Sequence, residues 1–142
     1  MHRPVGWLLI VLILAAPTGA EIITPFDRVA STPKGQLKSP YQDFASVAEE
    51  SHRKYMAAGC KGCHGGRGGG GMVAPLTNPI WIYGDDDGTL FRLIALGTGK
   101  VESGDAFGKL GYRRKGSEAG VGPMPPFGVI IRTDDDLWKI IA

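Results

Sequence analysis

Two cysteines and a histidine stand together as Cys60-Lys61-Gly62-Cys63-His64, and the chain holds no other cysteine. The spacing C-x-x-C-H is chemically specific. Two thiols on one tight turn can each add to a vinyl group of one porphyrin, forming two thioether bonds. The histidine that follows is then carried to the iron as an axial ligand. Lys61 and Gly62 are spacers. Competing readings account for fewer of these residues. A Cys60–Cys63 disulfide closes too small a loop to restrain the unfolded chain much, and it leaves His64 idle. A structural zinc site wants four ligands, and past the first twenty residues the only other histidine is His52. A thioredoxin-like redox pair wants a βαβ surround, for which the sequence has no pattern. No glycine run ends in the Lys-Ser or Lys-Thr of a phosphate loop. The motif therefore predicts one covalent haem c, on Cys60 and Cys63, with His64 on the iron.

The opposite axial position calls for a second donor. Four methionines are candidates by type: Met1, Met56, Met72 and Met124. Met1 falls in the leader described below, and Met56 falls on a predicted helix. Met72 follows His64 too closely to pass the plane of the macrocycle with ease. Met124 lies far downstream in VGPMPPFG. A thioether is a weak donor on a flexible side chain, so a rigid loop lowers the entropy lost on binding. Pro123, Pro125 and Pro126 supply that rigidity. Met124 is preferred over Met72 and His52, and a His/Met pair suits the potential of an electron carrier. The competing expectation is an open distal side, as in a gas sensor or a small haem enzyme.

These residues need elements to hold them. Residues 1–20, MHRPVGWLLIVLILAAPTGA, have a short basic start, an apolar run from Trp7 to Ala16 and small residues at the end. That pattern predicts a cleaved secretory signal and a periplasmic protein with no membrane span after cleavage. The formal charge of +2 loses only Arg3 with the leader, and a near-neutral chain gives no sign of nucleic acid as a partner. The 22 glycines and 10 prolines raise the entropy cost of folding, so a small domain of this kind is expected to need a staple or a large apolar cofactor.

Residues 21–42, interrupted by Pro25, Pro33, Gly35 and Pro40, read as an arm or linker with little structure of its own. The haem domain is expected over 43–142. Asp43 to Ala58 predicts a helix with an apolar stripe of Phe44, Val47, Ala48, Tyr55 and Met56, stopped by Gly59. A glycine loop, 65–71, and an apolar loop, VAPLTNPIWIYG, come next. Thr89 to Leu96 predicts a short helix burying Leu90, Phe91, Ile94 and Ala95 and closed by Gly97. Residues 97–132 show no periodicity and read as a long functional loop. Thr133 and Asp136 fit the capping pattern of a last helix, in which Leu137, Trp138, Ile140 and Ile141 are apolar. Asp85, Asp86 and Asp87 could in principle hold Ca²⁺, but a solvated loop before the helix is the simpler expectation. Arg113, Arg114 and Lys115 are candidate steering charges for an acidic partner, with a solvated loop the simpler expectation. Ile80, Trp81, Leu90, Ile94, Phe127 and Trp138 are expected to bury the haem; for Trp81, Tyr83 and Trp138, contact with the haem and ordinary core packing stand as equal alternatives.

The order of helix, CxxCH, apolar loop, short helix, GPMPPF and closing helix resembles a mostly α, single-haem class I cytochrome c. From Cys60 to Ala142 the resemblance narrows. CHGGRGGGGMVAPLTNPIWIYGDDDGTLFRLIALG, YRRKG, VGPMPPFG and DDLWKIIA are similar to the cytochrome c-L-type electron acceptors of pyrroloquinoline-quinone (PQQ) alcohol dehydrogenases, above all those serving lanthanide-dependent methanol dehydrogenase. The resemblance implies that His64 and Met124 are the axial pair. It also implies a carrier, not an enzyme, that accepts single electrons from a periplasmic PQQ-dependent alcohol dehydrogenase and passes them to a downstream acceptor. In that family the last helix runs further than Ala142.

Overall fold

The computed structural model describes residues 21–79, 81, 83–98 and 123–142. The expected leader, Ile80 and the cluster Arg113-Arg114-Lys115 lie outside the described residues. All regular structure among the described residues is helical, as the mostly α expectation requires. The α-helices are α1 (Pro25–Ser31), α2 (Ala48–Ala57), α3 (Lys61–His64), α4 (Asp87–Leu96) and α5 (Asp134–Ile141), with 3₁₀ turns at Phe44–Ser46 and Phe127–Val129. None of these helices is long and apolar enough to cross a membrane.

Residues 21–42 are not an unstructured arm. Thr24 accepts a hydrogen bond from the Asp27 amide while the Asp27 carboxylate reaches back to the Thr24 amide, so both ends of a capping box are made. Pro25 then sits at the first helical position, where its missing N–H costs nothing. The prolines that suggested a linker mark the start of α1 and the turn after it. Val29 of α1 and Leu37 beyond it belong to the main apolar core, with Phe91, Ala95, Ile131, Leu137 and Trp138. The domain boundary expected at 43 therefore cuts through the core.

Fully burying a Val or Leu side chain is worth roughly 1.5–3 kcal/mol, against a total stability of about 5–15 kcal/mol for a domain. A chain beginning at residue 43 should accordingly lose most of its cooperative thermal transition. Circular dichroism of that truncation beside the chain from residue 21 checks this, and equal midpoints would contradict it.

Helix α4 is the centre of the fold. It packs on α1, on α5 and on the 3₁₀ turn at Phe127. Phe91 and Ala95 are fully buried, and Phe91 meets the Trp138 ring at 4.3 Å between centroids. Arg92, on the α1 side, is only 1% exposed. Its guanidinium donates to the carbonyls of Val29 and Thr32, the free acceptors at the end of α1, so one buried cation caps the negative end of a neighbouring helix. Leu90 is only half buried, a departure from the expected face, because Arg92 and Thr89 take buried positions instead. The aspartates ahead of α4 have a structural task. Asp86 accepts from the Thr89 amide at 3.0 Å and from its hydroxyl at 2.6 Å. Burial pushes the Asp86 carboxyl up, but the Thr89 donors outweigh it and hold the group below the usual range. Among the described residues no three His, Cys, Asp or Glu side chains converge as a metal site.

The predicted helix over 43–58 is broken. Asp43 caps the 3₁₀ turn instead, and α2 starts afresh after Val47. The break shifts the helical phase, so the expected apolar stripe does not form. Phe44 is exposed, and Ser51 is the one buried residue of α2. Polar contacts tie α2 to α5. All three aspartates in the first turn of α5 are paired, two of them to other helices. Asp134 pairs with Arg28 of α1 at 2.6 Å, Asp136 with Lys54 of α2, and Asp135 with Lys139 of its own helix at 2.9 Å. Lys139 also reaches Glu50 of α2 at 3.0 Å. These carboxylates hold the Lys139 ammonium well above its ordinary range. Half-buried pairs of this kind contribute modestly one by one, and they add to the burial of Leu137 and Trp138 that holds α5 on the core.

Candidate functional site

Helix α2 ends as the sequence predicts. Gly59 has φ +86°, its amide donates to Met56, and the Cys60 amide donates to Tyr55, both at 3.3 Å. This pair of bonds is a Schellman closure. It turns the chain into α3, a single turn in which the His64 amide donates to the Cys60 carbonyl at 3.0 Å. Cys60, Cys63 and His64 stand at positions i, i+3 and i+4 of that turn and so share one face.

The glycine loop gives up regular structure in order to fold back onto this turn. The Gly70 amide donates to the His64 carbonyl at 2.9 Å, and the Val73 amide donates to the Cys63 carbonyl at 3.3 Å. A Cβ at Gly65 would lie 2.4 Å from the Gly70 carbonyl oxygen, so the approach admits no side chain there. Helix α2 holds the loop from outside. The Tyr55 hydroxyl donates to the Gly65 carbonyl at 2.6 Å, and His52 Nε2 lies 2.8 Å from the Gly66 carbonyl.

One cleft collects the predicted residues. Cys60, Cys63, His64 and Met124 all line it, and so do Trp81, Tyr83, Leu93 and Phe127. The lining is mainly apolar, the cleft opens to solvent, and its cavity volume is about 170 Å³. The VAPLTNPIWIYG loop supplies one wall through Val73, Pro75 and Leu76. Met72 lies off the cleft and is 82% exposed, and His52 does not line it. Three of the residues expected to bury the haem do not line the cleft: Leu90, Ile94 and Trp138. Trp138 and Ile94 pack with the main core, because α4 turns its Leu93 side toward the cleft and its Phe91 side away from it.

The donors suit the group that the motif calls for. The two thiols are not joined to each other. Burial pushes the Cys60 thiol up, aided by the nearby Cys63, so Cys60 is a poor free thiolate and a poor redox nucleophile. His64 Nδ1 is buried and has no hydrogen-bond partner among the described residues. A buried imidazole nitrogen left unpaired is costly.

Two residues at this site went unnoticed in the sequence. Gly97, expected only to stop α4, has φ +74°, and a Cβ on it would come within 2.6 Å of the Met124 carbonyl oxygen. Thr98, which follows it, is buried and hydrogen-bonded to Met124. Neither residue type carries a signal by itself, because their task depends on a segment that returns 26 residues later. Compared with known protein families, with curated proteins and with solved structures, the chain matches none.

Proposed function

We propose that the protein is an exported class I cytochrome c with one covalent haem c, which carries electrons in the periplasm and is not itself an enzyme. The observation that carries this reading is the meeting of Cys60, Cys63, His64 and Met124 on one apolar cleft. Cys60 and Cys63 would tether the group, and His64 and Met124 would hold its iron. When bound, the haem supplies a one-electron redox centre. Trp81, Tyr83, Leu93 and Phe127 keep water from the centre of the site. The glycine loop fixes the carbonyls of Cys63 and His64, which limits how far the attachment turn can shift when the site changes charge.

The electron donor we propose is a periplasmic PQQ-dependent methanol or alcohol dehydrogenase, and a downstream cytochrome or oxidase is the acceptor. This assignment rests on the resemblance carried by residues 63–97 and 112–142. A reduced quinone gives up two electrons and one haem takes one, so each alcohol requires two encounters. The contact is then expected to be brief and small. Mixing the haem-loaded protein with methanol and purified dehydrogenase should reduce it faster than a generic cytochrome c, and added salt should slow the reaction. Equal rates for the two cytochromes would remove the partner assignment.

A further inference from the structure

The loop Pro123–Pro126 has an unusual poverty of donors. Pro123, Pro125 and Pro126 have no N–H, so Met124 owns the only backbone amide in the four residues. That amide donates to Thr98 Oγ1 at 2.5 Å. In return the Thr98 amide donates to the Met124 carbonyl at 2.7 Å. The two residues thus form a reciprocal pair across a sequence separation of 26, just past the end of α4. Gly97 permits it, since its missing side chain leaves room for the Met124 carbonyl and for Pro125 and Pro126, all of which a Cβ would meet at 2.6–2.7 Å. Both Thr98 and Met124 line the cleft.

We infer that Thr98 is a positioning residue for Met124, its hydroxyl and amide clamping the methionine backbone to the end of α4 and so setting the reach of the sulfur into the cleft. The inference deepens the cytochrome reading and rests on it. The prolines stiffen the loop but cannot anchor it, because stiffness fixes shape and not place. The anchor is the hydroxyl of Thr98. Without it the Met124 amide is left unsatisfied in a half-buried position, and the loop can move off the end of α4. The sulfur would then spend more time away from its binding distance, and exogenous ligands would enter more readily.

The test compares Thr98→Val, which keeps shape and amide but removes the hydroxyl, with Thr98→Ser, which restores it, both as haem-loaded protein. Three quantities are read: hydrogen exchange of the Met124 amide, the red-end charge-transfer band of sulfur on ferric iron, and carbon monoxide binding to the ferrous protein. The valine variant should keep haem content and helical circular dichroism. Its Met124 amide should exchange about fivefold to tenfold faster, and carbon monoxide binding should rise by a similar factor, as expected for the loss of one net hydrogen bond. Serine should return both toward wild type. Thr98→Ala serves the same comparison where valine lowers the yield. A wild type with the band, together with a valine variant unchanged in exchange and in carbon monoxide binding, overturns the clamp alone. A wild type without the band overturns Met124 ligation, whatever the variants do.

Discussion

Cys60→Ala and Cys63→Ala should each lower the yield of haem-loaded protein several-fold, and the double variant should retain no covalent haem. On the haem reading, an apolar cleft left unfilled lacks a large apolar partner for its lining, and a small glycine-rich chain has little burial to spare. Stability changes of a few kcal/mol translate into large changes in abundance. The two positions should differ. Cys60 is buried and Cys63 exposed, so Cys60→Ala also removes packing, whereas Cys63→Ala removes only the tether. Haem staining of denatured protein on a gel, normalised to total chain, reads both effects. Full covalent haem in the double variant would rule out attachment at these residues.

Met124→Ala should remove the red-end band of ferric protein and open the iron to carbon monoxide. If the native sulfur bond leaves about 1% of sites open, its loss raises apparent affinity by about a hundredfold. Met72→Ala should change neither quantity, because Met72 is solvent-exposed and lies off the cleft. Stopped-flow mixing of ferrous protein with carbon monoxide distinguishes the two variants. Loss of the band in Met72→Ala alone would reverse the ligand assignment. Rapid binding by wild type would favour the open distal site of a sensor or small enzyme.

Much of the site was legible because its chemistry is local. C-x-x-C-H occupies one helical turn, so spacing alone sets Cys60, Cys63 and His64 on one face. The Gly59 stop and the Thr133 cap of α5, whose hydroxyl accepts from the Asp136 amide at 3.0 Å, are likewise decided within a few residues, whereas the run Asp85-Asp86-Asp87, which reads as a solvated loop, holds the Asp86 cap and the first residue of α4. Thr133 shows where the pattern is incomplete: the Asp136 carboxylate does not close the box but pairs with Lys54. What depended on distant partners was not legible. The proline-rich stretch at 21–42 reads as a linker until α4 presents a surface for Val29 and Leu37. Arg92 looks like an exposed polar residue on an amphipathic helix until the end of α1 offers it carbonyls. Trp138 and Ile94 have the type of haem-packing residues but serve the main core, because periodicity defines a face without saying what that face meets. Thr98 and Gly97 are silent for the same reason.

The most direct test of the central claim is acidified organic extraction of denatured wild-type protein, followed by the intact mass of the chain. Covalent attachment predicts that the colour stays with the protein and that the mass exceeds that of the processed polypeptide by one haem. Haem passing into the organic phase, with a protein mass equal to the polypeptide alone, would contradict it.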